Sequence, residues 1–106
     1  MKTIKKSSIS IAGLNKLFNH RTRMGIMAIL IVNEWVDFVS LRDTLRVTDG
    51  SLASHLKALT KENLIEVEKK FVDDKPKTSY RITTSGRTAF NRHLAELEEF
   101  VKLREN

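Results

Sequence analysis

Two helical patterns follow each other across a very short connection in the middle of the chain, and this feature constrains the fold most. Ser40 and Asp43 resemble a capping pair that opens a short first helix. Thr48 or Asp49 then caps a second helix within a few residues of the first. Two helices joined by so tight a turn form a helix-turn-helix, so the sequence predicts this motif from spacing and caps alone.

The second helix of the pair, predicted over 48–61, has two unequal faces. At about 100° per residue, Leu52, Leu56 and Leu59 fall on one apolar stripe that predicts contact with the core. His55 lies at the border of this stripe, and Asn63 suits the left-handed conformation common just past a helix end. The opposite face is small or basic and consists of Gly50, Ser51, Ser54, Lys57, Ala58 and Lys61.

Patterns on either side of this motif complete a mainly α-helical α+β domain. Thr83 or Thr84 can cap the last helix, and Asn19 can cap a core helix. A charged turn separates the two alternating runs of the hairpin. The remaining predicted elements are helices over 11–18, 19–34 and 84–104, a strand over 35–39 and a hairpin over 65–82. The predicted order is α-α-β-α-α-β-β-α in one domain, 1–106.

Composition excludes several classes of protein and site. The chain has no cysteine, which excludes disulfides, thiolate zinc sites and cysteine nucleophiles and fits a cytoplasmic protein. The longest apolar run, 24–32, is half the length that a bilayer requires, so no membrane partner is expected. The segment ISIAGL (9–14) is too short and too polar to be the apolar core of a signal peptide.

The positive charge is concentrated at one end of the chain. Residues 1–24 hold six lysines and arginines without any acid, which equals the whole formal net charge of +6. Beyond residue 24 the charges cancel. A basic segment favours a polyanionic partner such as nucleic acid, although a lysine-rich terminus also serves solubility alone.

Three segments together resemble a known family. They are HRTRMGIMAIL (20–30), SLASHLKALTKENLIEVEK (51–69) and YRITTSGR (80–87). In this order they resemble the winged helix-turn-helix transcriptional regulators of the MarR and ArsR kind, especially their small single-domain members. The resemblance implies a regulator that binds double-stranded DNA sequence-specifically, with helix 48–61 in the major groove and wing 65–82 on adjacent backbone or minor groove.

This resemblance gives a reason for the small side chains on the outer face of the helix. Bulky residues there would hold the helix away from the groove. Ser51 and Ser54 can bond base edges or phosphates, and basic side chains can reach phosphate oxygens. His55 has two open interpretations, a base contact or a half-buried side chain bonded to backbone. Arg23 likewise binds phosphate or braces an acidic neighbour. The predicted DNA-binding residues are Arg23, Asp49, Gly50, Ser51, Ser54, His55, Lys57, Lys61, Lys75 and Lys77.

The resemblance also implies that both terminal helices build a two-fold dimer. The expected homodimer would present two recognition helices about 34 Å apart to a roughly palindromic site. The alternative is that the last helix folds back on its own domain. The predicted interface residues are Leu14, Leu17, Phe18, Phe90, Leu94, Leu97 and Val101.

Rival functions have weaker support. The three histidines fall in separate elements without a nucleophile pattern or a phosphate-cradling glycine loop, so no enzyme and no cofactor are expected. His93 and Glu96 stand one helical turn apart, which admits a metal-sensing repressor but does not define a metal site. A winged helix that binds only protein is a further alternative, and any small-molecule effector is left unknown.

Overall fold

The computed structural model describes residues 11–104, and the basic residues Lys2, Lys5 and Lys6 lie outside them. Within this range the chain forms a 3-10 turn, four α-helices and three strands in the predicted order. The elements are the turn Lys16–Phe18, α1 (Arg21–Ile31), β1 (Val36–Asp37), α2 (Phe38–Leu45), α3 (Asp49–Lys61), β2 (Ile65–Val72), β3 (Lys75–Ile82) and α4 (Thr84–Arg104). None of the described helices is long and apolar enough to cross a membrane.

The helix-turn-helix forms where the spacing predicts it, but its first helix begins earlier. Asp37 caps α2 by accepting a hydrogen bond from the Ser40 backbone N–H at 3.3 Å, so the predicted capping pair of Ser40 and Asp43 is wrong. This cap leaves only two residues for β1 instead of the predicted strand over 35–39. The tight connection to α3 contains Arg46, which takes the left-handed conformation at the end of α2.

The wing is an antiparallel hairpin in full register from Ile65↔Ile82 to Val72↔Lys75. Its two-residue turn places both Asp73 and Asp74 at positive φ, the conformation that suits the right-handed twist of a hairpin. β3 is the central strand, since β1 pairs with its other edge. The predicted hairpin over 65–82 is therefore confirmed, and β1 joins it to the helical layer.

The core lies between the three helices of the first half, the base of the wing and the first half of α4. α3 contributes Leu52, Leu56 and Leu59, each no more than 1% exposed, as the apolar stripe predicts. Asn63 follows with a φ of 58°, which confirms the expected left-handed residue after this helix. The other buried apolar residues are Phe18, Ile26, Met27, Leu30, Leu41, Leu64, Ile65, Ile82 and Phe90.

Two predicted helix boundaries near the N-terminus are wrong. The helix over 11–18 is present only as the 3-10 turn Lys16–Phe18, capped by Asn15, and Ile11 is 71% exposed. Starting a helix is costly, and a short apolar repeat adds too few hydrogen bonds and contacts to offset this cost. α1 is capped by His20 rather than Asn19 and ends at Ile31.

Candidate nucleic-acid interface

α3 is held by its cap and its leucines, which leaves its outer face free. The Thr48 hydroxyl accepts a hydrogen bond from the Ser51 N–H at 3.1 Å and satisfies part of the first turn. Burial of three leucines fixes the rotation of the helix about its axis. The outer face is thereby set toward solvent by packing rather than by its own side chains.

This outer face is open and small at its N-terminal end. A methyl group added at Gly50 would meet no atom within 4 Å. Ser54, Lys57 and Lys61 are exposed, whereas Ser51 is half-buried beside the cap. The structure thus brings these five predicted residues onto one surface that can approach a groove closely.

A basic groove separates α3 from the wing. It encloses about 410 Å³ and is lined by Lys57, Lys61, Lys69 and Tyr80 among others. Lys69 lines this groove, so it lies on the strand face that is turned toward α3. Lys70 follows it along β2 and therefore lies on the opposite face. The groove places wing and helix side by side along one basic surface.

The wing tip carries the two remaining predicted lysines. Lys75 begins β3 directly after the acidic turn, and Lys77 lies one side-chain repeat further on the same strand face. Both are exposed, although Asp73 and Asp74 also lie exposed at this tip. Lys70 and Arg81 are less available, since Lys70 pairs with Glu68 at 3.0 Å and Arg81 pairs with Glu66.

Asp49 is placed in an ion-pair network at the turn between α2 and α3. The Arg42 guanidinium donates to the Asp49 carboxylate at 3.1 Å and to Asp43 at 3.0 Å. The two carboxylates raise the pKa of Arg42. This arrangement gives Asp49 a role in joining the two helices. The sequence analysis missed Arg42, for which neither apolar period nor cap gives a signal.

Arg23 and His55 contact each other directly, although they lie 32 residues apart. Arg23 Nε donates a hydrogen bond to His55 Nδ1 at 3.0 Å, and the rings of His55 and His20 lie 4.1 Å apart. Burial lowers the pKa of His55, and the neighbouring His20 and Arg23 lower it further. His55 is half-buried as one of the two interpretations has it, but its bonded partner is a side chain of α1 and not backbone. The other interpretation, a base contact, stays a prediction.

His20 lies beside Arg23 and His55, although it is absent from the predicted DNA-binding residues. Its Nδ1 accepts a hydrogen bond from the Thr22 N–H at 3.2 Å and caps α1, which places its ring over His55. The HRTR segment contains the signal, but only the fold brings it beside α3. We call His20, Arg23 and His55 the histidine-arginine cluster.

The predicted dimer residues divide into core and surface. Phe18 and Phe90 are each 1% exposed and pack edge to face at 5.3 Å, so they belong to the core of one chain. Leu94 and Val101 are 38% and 48% exposed on the same side of α4. Leu14, Leu17 and Leu97 are half-buried between these two groups.

His93 is also committed within the chain. It is 3% exposed, accepts a hydrogen bond from the Asn15 N–H through Nδ1 at 3.0 Å and contacts the ring of Phe18. Burial lowers the pKa of its imidazole. Among the residues that the structure describes, no group of three or more histidine and acidic side chains could hold a metal ion.

The helix-turn-helix, the three-stranded sheet and the exposed helix α3 together define a winged-helix domain. Residues 22–101 match the family described as winged helix DNA-binding domain, and the chain belongs to this family. An uncharacterized protein of Methanocaldococcus jannaschii is 36% identical over 87 residues, which cover 82% of this chain and 95% of that protein.

Solved structures of transcriptional regulators share the fold. The transcriptional regulator homologue from Pyrococcus horikoshii is 27% identical with a TM-score of 0.79, covering 85% of this chain and 89% of that one. The putative transcriptional regulator ytfH from Salmonella typhimurium is 22% identical with a TM-score of 0.67, and the match covers 86% of this chain and 87% of that chain. A MarR-family regulator from Silicibacter pomeroyi is 23% identical with a TM-score of 0.65, and the match covers 78% of this chain and 55% of that chain. Family and fold support a DNA-binding regulator, a class that typically acts by binding rather than catalysis.

Proposed function

We propose that the protein is a transcriptional regulator that binds double-stranded DNA sequence-specifically as a homodimer, with α3 in the major groove. The observation that carries this proposal is the outer face of α3, which is exposed, small at its first turn and basic further on. A helix must come close to the base edges in a groove about 12 Å wide, and small side chains permit this approach. An apolar face would instead favour a protein partner.

Within this proposal, Ser51 and Ser54 contact base edges or phosphates and Lys57 and Lys61 contact phosphates. The wing follows the adjacent backbone or minor groove through its exposed tip lysines, Lys75 and Lys77. The basic groove beside α3 adds Lys69 on the other face of the hairpin. Serine discriminates bases poorly, so DNA shape contributes to sequence preference. Asp49 is left to its ion pair with Arg42 in this arrangement.

The DNA-binding step is tested by selecting genomic fragments with the protein and measuring affinity for them over a salt series. Each phosphate contact contributes a slope of about 0.9 in log affinity against log salt. Lys57→Ala should lower the slope by about one such contact. Arg92→Ala removes an exposed charge from α4 and should leave the slope unchanged. Fragments without a shared motif, together with a salt slope near zero, would contradict the proposal.

The homodimer rests on the apolar side chains that α4 leaves exposed, chiefly Leu94 and Val101. Their exposure in one chain argues against a helix that folds back to cover them. Leu94→Glu should give a monomer by light scattering and weaken DNA binding. Arg92→Glu, a charge change on the opposite side of α4, should keep the dimer. A wild-type protein that stays monomeric at all concentrations would refute the dimer but leave DNA binding intact.

A further inference from the structure

The histidine-arginine cluster lies at the edge of α3 that faces away from the wing. Ala53, Lys57 and Thr60 line the groove on the wing side of the helix. His55 projects to the other side, where it meets Arg23 and His20 from the start of α1. A helix in the major groove has phosphates of both strands along its two edges. The wing lies along one edge, and the cluster lies along the other.

We propose that His20, Arg23 and His55 form a phosphate-binding site for the DNA backbone that takes up a proton when DNA binds. The inference rests on the proposed function and adds a second contact and a pH dependence to it. The ligand is a phosphate diester of duplex DNA.

The charge balance of the cluster favours an anion. Arg42 and Arg81 are each neutralised by carboxylates, whereas Arg23 donates to an imidazole that carries no negative charge. In the described range none of the three cluster residues forms an ion pair with an acid. The first turn of α1 also contains no acidic residue, so the positive end of the helix dipole adds to the local field. An approaching phosphate therefore meets an unneutralised guanidinium beside two imidazoles.

The hydrogen bond determines where the proton goes. His55 Nδ1 accepts from Arg23, so this nitrogen carries no proton in the DNA-free protein. The charged groups that act on His55 are His20 and Arg23, both from the α1 side, and no described group from α2 or the wing opposes them. A bound phosphate supplies the missing negative charge and stabilises the protonated imidazole. Protonation at Nδ1 releases Arg23 Nε, and both side chains then donate to the phosphate.

This coupling makes affinity rise as pH falls. Suppose that the pKa of His55 with DNA bound lies one unit above its pKa without DNA. At pH values below both pKa values, DNA binding is then about tenfold stronger per cluster. Affinity for a fragment selected by the wild-type protein is measured by fluorescence anisotropy from pH 8 to pH 5.5 at constant salt. We expect the largest change near and below about pH 6.5, the ordinary histidine value. Calorimetry in buffers of different ionisation enthalpy should show proton uptake on binding.

Three variants separate the cluster from other histidines. His55→Gln should remove most of the change in affinity with pH, and Arg23→Gln should weaken binding and lower the salt slope. His93→Gln is the control, since His93 lies in the core and outside the cluster, and it should retain the full pH dependence. Should His93→Gln fail to fold, NMR titration of the wild-type imidazoles replaces it, with the His55 pKa rising on DNA addition and the His93 pKa unchanged.

The outcomes distinguish the two proposals. Wild-type protein that binds no DNA at any pH refutes the proposed function. Wild-type protein that binds with a motif and a salt slope but with pH-independent affinity overturns the cluster proposal alone. A full pH dependence in His55→Gln overturns it as well.

Discussion

Gly86 lies where α4 meets the start of the wing, and its replacement by alanine is the sharpest stability test that the fold offers. A methyl group at Gly86 would lie 1.9 Å from the Leu64 carbonyl oxygen and 2.8 Å from its carbonyl carbon. Ordinary contacts begin near 3.4 Å, so α4 and the wing base must separate by about 1.5 Å. The Thr83 N–H donates to the same Leu64 oxygen at 3.1 Å and would lose this bond on separation.

The magnitude follows from three contributions. Overpacking against backbone costs about 1–3 kcal/mol, and the lost hydrogen bond costs about 0.5–1.5 kcal/mol. Alanine recovers about 1 kcal/mol relative to glycine inside a helix. The Gly86→Ala variant should therefore lose about 2 kcal/mol of unfolding free energy, which corresponds to a decrease of about 10 °C in melting temperature.

The same substitution at Gly50 provides the matched control. No atom lies within 4 Å of the added methyl group, so only the helix propensity changes, and Gly50→Ala should raise stability by up to about 1 kcal/mol. Both variants are compared by urea unfolding without DNA at one protein concentration, because the proposed dimer would make apparent stability depend on concentration. A Gly86→Ala variant as stable as wild type, or as stable as Gly50→Ala, would refute the close approach of α4 to Leu64.

Three further predictions concern stability. Leu56→Ala should cost about 2–5 kcal/mol by urea unfolding because its side chain is 1% exposed, whereas Ala53→Ser on the exposed side of the same helix should cost far less. Asp37→Ala should cost about 0.5–2 kcal/mol by loss of the α2 cap, with Asp37→Asn retaining most of it. Stability should fall between about pH 7 and pH 5, since the unfolded chain binds more protons where the folded pKa values of His55 and His93 are lowered. Melting curves over pH should show a smaller decrease in His93→Gln than in wild type.

Local patterns in the sequence identified the helix-turn-helix and the wing correctly. The leucine stripe of α3, the alternation of β2 and β3 and the left-handed Asn63 are properties of short stretches of chain. Periods of 3.6 and 2 residues show which face each element buries, so they can be recognised without the fold. The bare outer face of α3 could be predicted from the same stripe.

Competition between nearby caps decided the boundaries that the sequence analysis misplaced. Ser40 and Asp37 both suit a helix start, and the structure uses Asp37, whose carboxylate accepts from the Ser40 N–H and hydroxyl. Hydrogen bonding to Ser40 lowers the pKa of Asp37, which stabilises the charged cap. Several residues can cap one helix with similar energy, so the choice depends on how the helix packs.

Contacts between distant segments were beyond the reach of sequence patterns. The chain's local periodicity determined which side of each element is apolar and which face of α3 is bare, because amphipathic spacing acts within one element. Tertiary structure alone decided that Phe18 and Phe90 pack together and that Arg23 bonds His55. These pairs join residues 72 and 32 positions apart, and their contact depends on how α1, α3 and α4 cross, a geometry that is set by the packing of the whole core.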